Sequence, residues 1–442
     1  MTHEIPVFPI ETPAIRPLEM IPLEQRGQPF LLVRDPLGVI PQPVGLAVDP
    51  MLLIVLQLAD GQRTIGEMAS VATQATGHII SHEVLRDVVR QLDEALLLQS
   101  ERFVAAWTAK REAYAKETVR KSSVFPIPAA MDRLAVIAEL GKEFRRHLMS
   151  SISPPERLDL AAGSVQGVLA PHIDYQRGGE VYAWSYKALA EHGRSPDTYF
   201  ILGVVHRPAM HRFIATRKHF ETPFGTVPCD TALLDEFAAD FGGMLFEDEY
   251  QHAAEHSIEL QVVYLKKMLG DRPFKVVPVL VSSFDDLLEA EGPPKVADPE
   301  VGAFAGALRR LLEKHGSRVA LVGGVDFSHC GPEFGDEELN EPARCEQIKG
   351  GDRAALDAIE RVDAEAFFDS FRPDFNSRKV CSVGPIYLAL DAMAGRAEAR
   401  VLKYHQANSP DRSCLVSFAS VAFTTPTPGE RKNPGGKIIL LG

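Results

Sequence analysis

The feature that most constrains the fold of this chain is a set of three short apolar runs. Each run is followed by a side chain that can bind a metal ion or exchange a proton. The first run leads to His172, the second to His206 and the third to Asp326. Uninterrupted apolar runs of this length are typical of strands buried on both faces. Because parallel strands deliver their ligand-contacting groups at their carboxyl ends, the three side chains are predicted to share one site.

The alternation of apolar runs with helical patterns after Gln166 predicts an α/β fold. Predicted strands cover 166–170, 198–205, 274–281 and 318–325. Predicted helices cover 178–192, 231–241, 256–269, 299–315, 352–361 and 384–395. Two late runs, at 399–404 and 414–423, are close enough in sequence to pair as antiparallel strands. We therefore expect a mixed sheet flanked by helices.

The sequence pattern of the amino-terminal part predicts a separate small α+β domain. Its pattern is a strand at 30–33, helices beginning near Met51, Thr64 and Ser81, and a returning strand at 96–103. This order is typical of a winged-helix-like unit. The expected division is a small domain at 1–103, a helical linker at 104–124, a main domain at 125–426 and a flexible tail at 427–442.

Composition excludes several classes of partner. The 442-residue chain has a formal net charge of -13, which repels phosphate backbones and argues against a nucleic-acid partner. No apolar run approaches the roughly 18 residues needed to cross a bilayer, so no membrane partner is expected and a cytoplasmic protein is predicted. Five scattered cysteines do not form a disulfide framework, which leaves Cys381 as a candidate ligand or reactive thiol.

The residue types at these positions favour a metal site. Imidazoles of His172 and His206 with the thiolate of Cys381 would suit iron, copper or zinc and would leave coordination positions open. A single histidine is more often a surface or core residue, but the shared position after buried runs favours ligands. Cys381 precedes a predicted helix whose dipole would lower the thiol pKa, the alternative being a small buried apolar residue.

Three further residues are candidates for proton transfer or for orienting a ligand. Asp326 could accept a hydrogen bond from a ligand imidazole, and His329 could relay protons or join the metal. The alternative for Asp326 is a cap of the following turn. His256 lies on one face of a predicted helix with Glu259 and could also move protons, the alternative being an ordinary acidic first turn.

Taken together, these segments resemble the MEMO family, whose bacterial and archaeal members are called AmmeMemoRadiSam system protein B. The likeness runs from about residue 125 to 424. It implies a fold similar to the class III extradiol dioxygenases, with His172, His206 and Cys381 where members bind iron or copper and Asp326 and His329 lining the same pocket. The motifs that carry it are Ala170-Pro171-His172 with Tyr175, Ile201-Leu202-Gly203 with His206, Thr222-Pro223-Phe224-Gly225, Glu255-His256-Ser257-Ile258-Glu259, Val277-Pro278-Val279-Leu280-Val281, Asp326-Phe327-Ser328-His329, and Cys381 with Pro385-Ile386.

The chain also departs from the family pattern. Val205-His206-Arg207 replaces a common Ser-His-His, Ser382 replaces a Gly, and Ser122 to Pro126 replace a small-residue and aromatic motif. These changes affect the expected pocket shape and substrate more than metal binding, and Arg207 could recruit an anionic group. A thiolate in place of the dioxygenases' carboxylate ligand disfavours ring cleavage.

The amino-terminal domain resembles the PqqD-like peptide-recognition domains found beside radical SAM enzymes. The resemblance depends on Asp60-Gly61, Thr64-Ile65 and the run Leu96 to Leu98. It implies a radical SAM protein as a partner. A dimerisation or stabilising module is the alternative.

Three functions from different classes follow from these observations. The leading one is a mononuclear non-haem metal protein, with Fe(II) preferred over copper or zinc, that carries out oxygen-linked redox chemistry on an unknown small molecule or peptide. The second is binding of a peptide or phospho-group without turnover. The third is a metal-free hydrolase in which Cys381 is the nucleophile and His172 or His206 the base.

Overall fold

The computed structural model describes residues 6–25, 28–40, 42–125 and 133–426. The chain divides into two compact units between Glu117 and Thr118. The predicted tail at 427–442 lies outside the described residues. Within the described ranges, no helix has the length and apolarity required to traverse a membrane.

The first unit contains a three-stranded antiparallel sheet in the order β1-β2-β3, followed by helices. Polar side chains begin these helices, as at Thr64, which forms a reciprocal capping box with Glu67. The elements are β1 (Glu19–Gln25), β2 (Gln28–Arg34), β3 (Val44–Ala47), α1 (Pro50–Leu58), α2 (Ile65–Thr76), α3 (His82–Glu94) and α4 (Glu101–Lys116).

The returning strand predicted at 96–103 is wrong. Leu96 has a φ of 61°, and Leu98 pairs with Ile15 only through an isolated bridge. Ser100 then accepts a hydrogen bond from the backbone N–H of Phe103 and starts α4. Helix capping therefore overrides the apolar run, and the three strands all precede the helices rather than enclosing them.

The second unit is built on a large mixed sheet with helices around it, which confirms the predicted architecture. Its strands are β4 (Val119–Arg120), β5 (Val165–Ala170), β6 (Thr198–Val204), β7 (Phe213–Ala215), β8 (His219–Thr222), β9 (Gly225–Val227), β10 (Lys275–Val281), β11 (Val319–Gly324), β12 (His329–Cys330), β13 (Glu398–Asn408) and β14 (Leu415–Thr424). Its helices are α5 (Arg133–His147), α6 (Tyr175–His192), α7 (Thr231–Phe241), α8 (Ser257–Leu269), α9 (Pro294–Ala297), α10 (Pro299–His315), α11 (Pro342–Glu360), α12 (Ala364–Asp369) and α13 (Val383–Met393).

The sheet has the strand order β12-β14-β5-β11-β6-β10-β7, with β13 paired to β14. Strands β5, β11, β6 and β10 are parallel, whereas β7, β13 and β14 pair antiparallel with their neighbours. Alternate residues of β6 enter different cores: Phe200 belongs to one buried cluster and Ile201 to another. Burial on both faces explains why these strands are continuous apolar runs in the sequence.

Strands β5 and β6, which precede His172 and His206, are separated in the sheet by β11, a strand that comes later in the sequence. β11 lies between β5 and β6 and is parallel to both. This order brings the carboxyl ends of the three strands to the same edge of the sheet. The loops that follow them carry the candidate site.

Candidate metal centre

The residues predicted from the three apolar runs occupy equivalent positions. His172 lies two residues after β5, His206 two after β6, and Asp326 two after β11. Because β11 lies between β5 and β6, the loop that carries Asp326 leaves the sheet between the loops that carry the two histidines. The predicted convergence of these side chains is therefore present in the fold.

Three histidines form a group that could hold a metal ion. Ligand atoms of His172, His206 and His256 all lie within 4.8 Å of one another. His172 is buried, whereas the side chains of His206 and His256 are 32% and 39% exposed. The group therefore has one deeply placed imidazole and an open side. Sequence reasoning gave His256 a role in proton transfer, but the structure places it with the candidate ligands.

His172 is held in one orientation by the backbone. Its Nδ1 lies 2.9 Å from the carbonyl oxygen of Gly324. Since a carbonyl oxygen only accepts, Nδ1 carries the hydrogen and Nε2 is left with a free lone pair. Burial, together with His206 and His256 nearby, holds the pKa of His172 well below its usual range.

Asp326 contacts His172 differently from the prediction. Its Oδ1 accepts a hydrogen bond from the backbone N–H of His172 at 3.0 Å, and its Oδ2 lies 3.6 Å from Nε2. The carbonyl of Gly324, rather than Asp326, therefore fixes the tautomer. Burial raises the pKa of Asp326 to about 7, despite the hydrogen bond from His172. The carboxyl group faces Nε2, the ring nitrogen whose lone pair is free to bind a metal ion.

Glu255 orients two imidazoles and was missed as a site residue by sequence reasoning. Its oxygens lie 3.0 and 3.1 Å from Nδ1 of His206, and Oε1 lies 3.3 Å from Nδ1 of His256. Burial favours the neutral carboxyl group, but the hydrogen bond and charge of His206 hold the pKa of Glu255 well below its usual value. Its position directly before His256 was the available signal.

Cys381 lies beside the histidines as predicted from the sequence. Its Sγ is 3.4 Å from Nε2 of His172 and 3.4 Å from Oγ of Ser382. Burial would lower the pKa of His206, but hydrogen bonds with Cys381 and Glu255 raise it well above its usual value. Residues 172, 206 and 381, far apart along the chain, thus meet at one place.

His329 lies close enough to His172 to contribute to the lowering of the pKa of that ring. Its Nδ1 lies 3.0 Å from the carbonyl oxygen of Phe327, and its ring packs edge-on against Phe334 at 5.1 Å. Burial lowers the pKa of His329 to about 4 despite that hydrogen bond, so the ring is neutral near pH 7. A neutral imidazole with one free nitrogen can accept a proton.

The donor set fits a borderline-soft transition metal. Imidazole nitrogens with a thiol suit iron, copper and zinc better than the oxygen-preferring magnesium or calcium. The carboxylate of Glu255 gives His206 the supporting contact that metal-bound histidines usually have. The exposed edges of His206 and His256 leave room for water or a small molecule.

The fold and the site together define a class: an α/β protein with a mixed sheet and a histidine-rich candidate metal site at the carboxyl ends of its central parallel strands. The sequence profile described as Memo-like protein matches residues 138–422, most of the second unit. The chain therefore belongs to the Memo family.

Individual relatives agree with this membership. A MEMO1 family protein of Aquifex aeolicus is 27% identical over 403 residues, 91% of this chain and 97% of the relative. A MEMO1 family protein of Methanopyrus kandleri is 32% identical over 288 residues, 63% of this chain and 89% of the relative. The memo-1 homolog of Caenorhabditis elegans is 28% identical over 279 residues, 60% and 74% of the two chains. Because the Aquifex alignment leaves out less than a tenth of this chain, similarity extends well into the first unit.

Proposed function

We propose that this protein binds one non-haem metal ion, preferably Fe(II) with copper or zinc as alternatives, through Nε2 of His172, Nε2 of His206 and the thiolate of Cys381. The convergence of these three side chains carries the proposal. His256 stands beside them as a proton carrier or further donor. The dioxygenase-like fold implied by the sequence resemblance is part of the same proposal.

Oxygen-linked redox chemistry is the activity that this donor set supports best. A bound iron or copper ion would supply one-electron chemistry with dioxygen. The protein's contribution is to hold the imidazoles in fixed tautomers, to place the carboxyl group of Asp326 beside the site, and to offer His256 and His329 as proton acceptors. The substrate would be a small molecule or peptide entering at the exposed side of His206.

Elemental analysis of anaerobically purified protein tests the metal. About one iron per chain is expected, with a nitrosyl signal in electron paramagnetic resonance after nitric oxide is added. Oxygen consumption in the presence of a reductant then tests the redox activity. Full metal occupancy without oxygen consumption would favour the alternative function, binding of a peptide or phospho-group without turnover.

A second candidate function is supported by one distance. Sγ of Cys381 and Nε2 of His172 are 3.4 Å apart, close to what a thiol nucleophile and its base require. Such a pair would give a metal-free hydrolase. Mass spectrometry and ester-hydrolysis assays of metal-free protein treated with an activated ester decide between the two. An acyl adduct on Cys381 that water then hydrolyses, with release of the free acid, would support the hydrolase, and the absence of both adduct and hydrolysis would favour the metal site.

For the first unit we propose recruitment of a partner, a radical SAM protein of the same system, in line with the PqqD-like resemblance. The alternative is a dimerisation module. Titration calorimetry of the full chain with such a protein tests recruitment, and sedimentation of the chain alone tests dimerisation. A binding signal without self-association would support recruitment.

A further inference from the structure

A buried ion pair joins the start of the second unit to helix α8. Nη1 of Arg120 lies 2.6 Å from Oε2 of Glu259, and the two side chains are 0% and 1% exposed. Removing both charges from water is costly, so a buried ion pair is weak evidence for stability alone. Its other contacts indicate a role in the geometry of the neighbouring site.

Arg120 holds the backbone that leads into the site. Its Nε donates to the carbonyl oxygen of His252 at 2.8 Å, and its Nη2 donates to the carbonyl oxygen of Glu255 at 2.8 Å. The planar guanidinium therefore fixes both ends of the turn before α8. The carboxylate of Glu255, which contacts His206 and His256, projects from that turn.

Glu259 is in turn enclosed by the segment that carries Arg120. It accepts hydrogen bonds from Oγ of Ser123 at 2.7 Å and from the backbone N–H groups of Ser123 and Val124 at 3.2 Å each, and it also contacts Oγ of Ser122. This segment lies before residue 138, where the match to the Memo-like profile begins. Residues outside the matched region thus hold Glu259 and the turn that carries Glu255.

We propose that Arg120 and Glu259 are positioning residues of the metal site, acting through Glu255 on the imidazoles of His206 and His256. The inference rests on the proposed metal binding. In this arrangement the segment at 118–124 is a structural part of the site. Loss of the guanidinium fork should displace Glu255 and, with it, the orientation of both rings.

The test uses Co²⁺ as a spectroscopic probe on the full chain. Dissociation constants and visible absorption spectra are measured for the parent, Arg120→Lys, Glu259→Gln and a matched control, Asp391→Asn. Asp391 is another buried carboxylate of this unit, paired with Lys295 and Arg309. It lies nine residues beyond Ser382 along α13, about 13 Å away at the usual rise per residue.

We expect Arg120→Lys and Glu259→Gln to weaken Co²⁺ binding by roughly 10-fold or more and to alter the spectrum, as loss of groups that orient ligands does. Asp391→Asn should stay within twofold of the parent with an unchanged spectrum. If the first two variants bind like the parent, or if all three weaken binding equally, the positioning role is overturned. No Co²⁺ binding by the parent would instead refute the proposed metal site, and this inference with it.

A milder change covers the case in which the charge variants do not fold. Ser122→Ala/Ser123→Ala removes two side-chain hydrogen bonds to Glu259 and keeps its ion pair with Arg120. A smaller loss of Co²⁺ affinity, about threefold, with a shifted spectrum supports positioning. Parent-like affinity and spectrum in this double variant would overturn it.

Discussion

The carbonyl oxygen of Gly324 lies 2.9 Å from Nδ1 of His172 and directs Nε2 of that ring toward the site. Gly324 ends strand β11 and is packed closely against α8. A Cβ at this position would lie 2.6 Å from the carbonyl oxygen of Ser257 and 2.7 Å from Nε2 of Gln261. The backbone contact that orients His172 therefore depends on a residue without a side chain.

Gly324→Ala is expected to lower both stability and metal affinity. Helix α8 or strand β11 must shift to accept the methyl group, which costs about 1 to 3 kcal/mol of unfolding free energy in a packed core. The control is Gly350→Ala, inside α11, where a Cβ meets nothing within 4 Å. Chemical denaturation and a zinc titration measure the two effects. Parent-like values for Gly324→Ala would contradict the close packing described above.

Cys381→Ser tests the sulfur ligand. The variant should lose most of its iron while keeping the fold, because a hydroxyl group is a much poorer ligand than a thiolate. Cys345→Ser is the matched control, since this partly buried thiol donates to the carbonyl oxygen of Asn340, as a serine could. Iron content, measured by plasma emission spectroscopy, shows whether Cys381 is a metal ligand. Equal iron in Cys381→Ser and in the control would remove Cys381 from the site.

Glu255→Gln tests the support of His206. The amide keeps the shape of the side chain but loses the negative charge that Nδ1 of His206 faces at 3.0 Å. We expect metal affinity to fall roughly 10 to 100-fold, the usual loss when such a partner is changed. Competition with a chelating dye gives the affinity. A fall in metal affinity smaller than twofold would contradict the role of Glu255 in supporting His206.

Asp326→Asn should also lower the affinity for the metal ion. The amide oxygen can still accept from the backbone N–H of His172, but its NH₂ group would then face Nε2 of that ring, where Oδ2 now lies 3.6 Å away. A donor there competes for the lone pair that binds the ion. We expect a loss of roughly 10 to 100-fold. Affinity within a factor of two of the parent would count against a role for Asp326.

His147 should make the second unit less stable in mild acid. It is fully buried, and burial together with Arg146 lowers the pKa of His147 from 6.5 to about 4. The unfolded chain therefore takes up a proton that the folded chain refuses as the pH falls from about 6.5 to 4. The unfolding free energy should decrease by about 2 kcal/mol between pH 7 and pH 5 from this residue alone.

The comparison that isolates this effect is His147→Gln. The variant loses packing against Phe144 and Tyr264 at every pH, so its absolute stability falls. Its dependence on pH between 7 and 5 should nevertheless be shallower than that of the parent, by about 0.7 proton on average. Urea denaturation at several pH values measures the slope. Parallel slopes would show that the folded chain protonates His147 as readily as the unfolded chain does, and would contradict the lowered pKa.

The central strands and the approach of His172, His206 and Asp326 could be predicted because buried parallel strands have a strong sequence signal. The role of Glu255 could not, since it depends on how the turn before α8 is held by Arg120, more than a hundred residues earlier. The predicted strand at 96–103 failed for a local reason: the hydroxyl group of Ser100 caps a helix inside an otherwise apolar run.

The position of β11 between β5 and β6 has a consequence for synthesis. A nascent chain that has emerged only as far as His315 already contains His172 and His206, yet β11, the strand that lies between β5 and β6, is still missing. The ribosome must therefore deliver more than a hundred further amino acids after His206 before the two imidazoles acquire their final spacing. Metal uptake is accordingly expected only after translation of most of the polypeptide.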